Sequence, residues 1–284
     1  MITWNLHAHT TTSDGDLSAE ELVQRAVDEG LSGIAITDHF PFPYKPDQPV
    51  DWATSRRVFE RHLRVVEALQ HKVDGLEILK GAEVEYVPSL DTLAHWLRGL
   101  DLDFVMGGVH ILDGWLVDWS EEIFCQGRKR FGGWRTAIEC YYDAVGELAE
   151  SGLVDSIAHL DVVKKYNPQS RHFSEDAPWY RRAVEHCLER IARTGVAIEV
   201  NTAGLRRPAA DLYPSDWILR RARELEIPVT VGTDFHRTHD RVSDGLSVAE
   251  AALRAAGYES FLIFRARQAE TLSFSVPSQD KAWA

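Results

Sequence analysis

Short runs of consecutive apolar and β-branched residues recur along the chain. They are separated by stretches in which apolar residues fall every three or four positions. The runs are Thr3–Leu6, Gly33–Thr37, Ile78–Val84, Phe104–Val109, Ser156–Ala158, Ala197–Val200 and Val229–Gly232, with an eighth at Ser260–Arg265. Unbroken apolarity is what a parallel strand covered on both faces requires. The first helix is bounded most sharply: Ser18 and Glu21 form an S-x-x-E capping box, Leu22, Ala26 and Val27 give the apolar stripe, and Gly30 gives the stop. The same spacing predicts helices over Thr54–Gln70, Leu90–Leu97, Arg135–Glu150, Pro178–Arg193, Ser215–Leu225 and Ser247–Ala256. Alternation of strands and helices predicts a parallel α/β architecture. With no linker, low-complexity stretch or internal repeat, residues 1–284 read as one domain. Phe40–Asp51 and Gly114–Gly133 read as long loops of the kind that often carry function.

Length agrees with that reading, since the 284 residues suit a single α/β barrel, for which about 250 is typical. The balance of 44% hydrophobic and 26% charged residues is that of a globular protein able to bury a large core. A net charge of −13 and the lack of a basic stripe argue against a nucleic-acid partner. The densest basic cluster, Arg128, Lys129 and Arg130, reads as solvated surface. No apolar stretch approaches the roughly 20 residues of a membrane span, and no leader pattern opens the chain. The three cysteines, Cys125, Cys140 and Cys187, are odd in number and lack C-x-x-C spacing. A reduced, cytoplasmic setting is expected, with neither export nor membrane insertion.

The chemistry lies at the strand ends. His7 and His9 follow the first strand, Asp38 and His39 the second, His110 the fourth and His159 the fifth. Glu83 sits near the end of the third, Asn201 follows the sixth, and Asp234 and His236 follow the seventh. In parallel α/β folds the C-terminal strand ends form the ligand-binding mouth, where residues distant in sequence converge. A lone histidine is usually structural, and His62, His71, His95, His172, His186 and His239 are read so. Six imidazoles with carboxylate companions at one mouth are too many for one tetrahedral ion and suggest two or three ions sharing a carboxylate. In His7-x-His9, alternate residues of an extended segment point the same way. Ser13-Asp14-Gly15 could be a plain turn, and its company makes Asp14 a ligand candidate.

His7-Ala8-His9-Thr10, Ser13-Asp14-Gly15, Ile36-Thr37-Asp38-His39, Glu83, His110, His159 and Asp234-Phe235-His236 together resemble the PHP family (polymerase and histidinol phosphatase) over almost the whole chain. Val109–Trp115, His159–Tyr166, Glu199–Arg206 and Tyr213–Ser215 resemble its histidinol-phosphatase branch in particular. The resemblance implies a distorted seven-stranded (β/α) barrel with two or three divalent ions (zinc, manganese or iron). One ion would take His7, His9, Glu83 and Asp234, a second Glu83, His110 and His159, and a third Asp14, His39 and His236.

The reaction implied is hydrolysis of L-histidinol phosphate, a small phosphate ester, by a metal-bridging hydroxide held through Glu83, Asp234 and His236. Arg206, just past the sixth strand, is the first candidate for bidentate phosphate binding, with Arg171, Arg207, Lys164 and Lys165 behind it. Asp113, Asp161 and Glu85 are candidate acceptors for the substrate's ammonium and imidazole, or could equally orient a metal-bound histidine. Alternatives are a PHP phosphoesterase for another small phosphate ester or nucleotide, and a non-catalytic binding module. The latter predicts missing ligands, and none is missing.

Overall fold

The computed structural model describes residues 1–42 and 52–274. Most of the expected Phe40–Asp51 loop lies outside them. In chain order the elements begin β1 (Trp4–Asn5), α1 (Ala19–Asp28), β2 (Gly33–Ile36), α2 (Arg56–Gln70), β3 (Glu77–Glu85), α3 (Leu90–Leu97) and β4 (Phe104–Gly108). A hairpin of β5 (Ile111–Leu112) and β6 (Trp115–Leu116) follows, then α4 (Glu121–Arg130), α5 (Trp134–Glu150), β7 (Ser156–Ile157), α6 (Pro178–Ala192), β8 (Ala197–Asn201), α7 (Asp216–Glu224) and β9 (Val229–Gly232). The chain then forms α8 (Leu246–Ala255), β10 (Ser260–Arg265) and β11 (Gln268–Ser273).

Seven strands form one parallel sheet in the order β1-β2-β3-β4-β7-β8-β9. The edges meet: the Leu6 amide donates to the Val231 carbonyl at 2.9 Å and the His9 amide to the Phe235 carbonyl at 2.9 Å, so β1 lies beside β9 and the sheet curls into a nearly closed barrel. Asn5 fastens this seam. Its side-chain oxygen accepts from the amides of His7 and Thr233, and its amide group donates to the Thr233 hydroxyl and the Val242 carbonyl. The strands are buried on both faces, as their apolar runs require, and the Ser18–Glu21 capping box forms at the start of α1.

Two expectations change. Ser260–Arg265 is a strand outside the barrel, paired antiparallel with β11, and Phe264 stacks on Phe104 at 5.2 Å. Gly114–Gly133 is not a loop, since it contains β6 and α4. The helix has ordinary signals: Ser120 caps it by accepting from the Ile123 amide, Glu121 and Glu122 occupy the first turn, and Arg128, Lys129 and Arg130 the last. That charge order complements the helix dipole and explains the basic cluster. No helix among the described residues is long and apolar enough to cross a membrane, and all three cysteines are free thiols.

Helix α4 is seated on the hairpin through Gly127, where an added Cβ would lie 2.2 Å from the Trp115 ring. Alanine is intrinsically better than glycine in a helix by about 1 kcal/mol. Overpacking against a buried ring costs about 1–3 kcal/mol. We expect Gly127→Ala to lower the urea midpoint with an unchanged m-value. A raised midpoint would show that Trp115 can give way.

Candidate metal centre

The barrel's C-terminal mouth gathers His7, His9, Asp14, His39, Glu83, His110, His159, Asp234 and His236 into three groups, two of which share His9. Glu83, at the end of β3 and 1% exposed, is the hub. Its Oε2 lies 3.4 Å from His7 Nε2, 3.4 Å from His9 Nε2 and 3.0 Å from His39 Nδ1, while its Oε1 lies 3.0 Å from His159 Nε2 and 3.6 Å from His110 Nε2. Asp234 Oδ1 lies 3.4 Å from His7 Nε2, 3.5 Å from His9 Nε2 and 3.2 Å from His236 Nδ1. Asp14 Oδ1 lies 3.2 Å from His236 Nε2 and 3.9 Å from His39 Nε2. His9 belongs to two groups, because its Nδ1 also lies 3.6 Å from Asp14.

Further groups hold these side chains in place. Glu199, an acid inside the apolar run of β8, accepts from His7 Nδ1 at 2.8 Å and from the His159 amide at 2.8 Å. Glu85 accepts from His110 Nδ1 at 2.7 Å and from the amides of His110 and Ile111. An ionised carboxylate only accepts, so His7 and His110 each donate through Nδ1 and turn Nε2 inward. His236 Nδ1 is 3.0 Å from the Asp234 carbonyl and donates to it, with the same result. Asp38 is not among the converging groups. It pins the His9–Asp14 loop by accepting from the amides and hydroxyls of Thr10 and Ser13, and it pairs with His62 at 2.9 Å. His159 and Asp234 have φ of 26° and 51°, a left-handed conformation costing about 1–3 kcal/mol for such residues, so two of the converging side chains stand on strained backbone.

Burial alone would raise the Glu83 and Asp234 carboxyls, yet the surrounding imidazoles hold both well below the usual range. Burial likewise opposes a charged His110, but Glu85 and Glu83 outweigh it and push its pKa up to about 10. This is a site that demands positive charge. Pairs of inward Nε2 atoms stand 3.0 Å apart (His7 and His9) and 3.1 Å apart (His110 and His159) among carboxylate oxygens. Converging imidazole nitrogens and carboxylates, oriented from behind by Glu199 and Glu85, fit divalent metal ions.

A cavity of about 300 Å³ opens over the cluster. Its other walls carry Trp52, Trp119, Asp118, Lys165, Arg207, Tyr213 and Arg237. The residues expected to contact substrate sit elsewhere. Arg206 turns back to the Thr233 carbonyl (2.7 Å) and Asp240 (3.4 Å). Buried Lys164 is consumed by Asp161, Asp211, the Leu212 carbonyl and Ser215, and Asp161 is in turn held by the Ser215 amide and hydroxyl. Asp113 is exposed and pairs with Arg130, and Arg171 pairs with Glu121. Of the cations weighed from sequence, Arg207 and Lys165 reach the cavity. Lys165 pairs with Asp118 at 2.9 Å and, against the effect of burial, holds that carboxyl down to about 2. Arg207 makes no side-chain hydrogen bond or ion pair among the described residues.

The fold and this cluster define a metal-binding α/β-barrel protein. The PHP domain model matches residues 5–203, and the chain belongs to the PHP domain family. It is 35% identical over 219 residues to the "Probable histidinol-phosphatase" of Deinococcus radiodurans, covering 76% of this chain and 79% of that one. It is 27% identical over 241 residues to the histidinol-phosphatase of Bacillus subtilis, covering 78% and 87%. The structure of histidinol phosphate phosphatase from Lactococcus lactis, complexed with zinc, L-histidinol and phosphate, has the same fold: TM-score 0.75 at 20% identity, over 94% of this chain and 98% of that one.

Glu199 offers a test of how the cluster is held. Glu199→Gln replaces the charged acceptor behind His7 with a neutral one that must also turn a donor toward the His159 amide or His7, and loss of such an orienting carboxylate costs about 10–100-fold in metal affinity. We expect elemental analysis after dialysis against a weak chelator to show depleted metal with an unchanged far-UV spectrum. Full retention of metal would mean that His7 needs no support from behind.

Proposed function

We propose that this protein is a metal-dependent phosphomonoesterase that hydrolyses L-histidinol phosphate to L-histidinol and phosphate. The observation that carries the reading is the convergence of six imidazoles and three carboxylates at one barrel mouth, in a chain whose relatives are named for that reaction. The nine residues would hold two or three divalent ions in the three groups described, which when bound lower the pKa of water and neutralise phosphate oxygens. The protein's own groups bind, orient and enclose. Arg207 is the guanidinium on the cavity wall with no ion-pair partner among the described residues, suited to a bidentate grip on phosphate, while Lys165 and Arg237 on the same cavity are paired with Asp118 and Asp16. On the wall with Asp118, the Trp52 and Trp119 rings stand 5.2 Å apart. That wall offers aromatic faces and an acceptor to the imidazole and ammonium of histidinol.

The expected outcome with purified protein is phosphate release from L-histidinol phosphate well above release from nucleotides. Exhaustive chelation should abolish it, and added Mn²⁺, Zn²⁺ or Fe²⁺ should restore it. Full turnover by protein shown by elemental analysis to be metal-free would refute the mechanism.

Adjacent arginines give a sharper comparison. Arg207→Ala should lose about ten- to a hundredfold in kcat/KM with its metal content unchanged. Arg206→Ala should keep near-wild-type kinetics and lose stability instead, because it unpins the Thr233 carbonyl. The reverse pattern would return the phosphate grip to Arg206.

A further inference from the structure

Tyr213 presents a buried hydroxyl with no hydrogen-bond partner among the described residues. The residue is 2% exposed, yet it lines the cavity over the cluster. Buried polar groups are nearly always paired, and an unpaired one calls for an explanation. Its mount is rigid. The Tyr213 amide donates to the Asn201 carbonyl at 3.0 Å and the Asn201 amide to the Tyr213 carbonyl at 2.6 Å, fixing the residue to the end of β8. Behind the ring lies Gly204, where an added Cβ would stand 3.1 Å from Cε2 and Cζ. The Lys164 ammonium lies 5.6 Å from the ring centroid. The ring is therefore clamped, and the O–H torsion is its main remaining freedom. Burial and the nearby Asp161 and Asp118 carboxylates push the hydroxyl's pKa well above the ordinary tyrosine range, so it keeps its proton at neutral pH.

A protonated, buried hydroxyl on a residue that lines a cavity is a donor in want of an acceptor. The ammonium of an amino alcohol supplies only donors, whereas a phosphate monoester supplies anionic oxygens. We propose that Tyr213 is a substrate-binding residue whose hydroxyl donates a hydrogen bond to a non-bridging oxygen of the bound phosphate group, on the same wall as Arg207. The assignment rests on the phosphomonoesterase reading and adds to it a neutral donor, from a segment with no chemical role assigned on sequence alone.

The test is Tyr213→Phe, which removes one oxygen and keeps the ring. Binding of inorganic phosphate and, separately, of L-histidinol is measured calorimetrically on the metal-loaded protein, with melting temperature and metal content taken on the same preparation. We expect phosphate affinity to fall about tenfold, histidinol affinity and metal content to hold, and kcat/KM for histidinol phosphate to fall at least as much as phosphate affinity. Removing an unpaired buried hydroxyl should leave the melting temperature without phosphate equal to wild type or higher. Wild-type phosphate affinity in the variant, or a loss falling on histidinol instead, would overturn the assignment. A lower melting temperature without phosphate would overturn it too, since the hydroxyl would then already serve the fold. If the wild-type protein fails to cleave histidinol phosphate, the choice of substrate fails, while the inorganic-phosphate measurement still decides the role of Tyr213.

Discussion

The structure turns on one buried carboxylate. Glu83 sits at the end of the longest barrel strand, and five imidazoles from four other strand ends approach its two oxygens. A lone charge at that depth would cost several kcal/mol. The arrangement is tolerable only with compensating positive charge, and the imidazoles are placed to share that charge with cations. Much of the rest serves this placement. Asn5 sets the seam so that His7 and His9 face inward, Asp38 ties down the loop carrying Asp14, and Glu199 and Glu85 fix which ring nitrogens point at the hub.

The barrel and the nine converging residues were legible in the sequence because both depend on patterns that survive without a partner. Apolar runs mark covered strands, and the ends of those runs mark the mouth. The lining of the cavity was not legible, since it depends on which way a side chain leaves a short turn. Arg206 and Arg207 are adjacent and chemically identical, yet the turn at Ala203–Arg206 aims one at Thr233 and leaves the other on the cavity. Lys164 pairs with Asp161 three residues back, but it is also held by Asp211, the Leu212 carbonyl and Ser215, partners that sequence distance does not announce. Some of what was missed did leave a trace. Glu199 interrupts the apolar run of β8, and an acid inside a doubly covered strand signals a buried partner. Ser120 with Glu121 and Glu122, followed by Arg128 to Arg130, marks α4 within a segment whose glycines at both ends suggest a loop.

Cluster and walls divide the labour. The cluster presents imidazoles and carboxylates suited to cations, whereas the cavity walls present the Trp52 and Trp119 rings, the Lys165–Asp118 pair and Arg207. Asp118, Trp119, Lys165 and Tyr213 come from segments joined to one another: Lys165 pairs with Asp118, the Tyr166 hydroxyl donates to the Asp118 and Trp119 carbonyls, and Lys164 donates to the Leu212 carbonyl beside Tyr213.

The seam that closes the barrel joins Asn5 to Thr233 across 228 residues of chain. It also brings His7 and His9 to Asp234 and His236, so closing the barrel and completing the site are one event. On a ribosome, the segment carrying Asn5, His7 and His9 emerges well before β9 and waits for it before acquiring its partners. Contacts so distant in sequence form slowly. Until they form, the nascent chain exposes an unpaired parallel edge at β1 and an incomplete set of metal-binding groups. Metal capture by the finished site is thereby coupled to synthesis of the chain through residue 236, and a product truncated before β9 would lack both the closing strand and two of the nine converging residues.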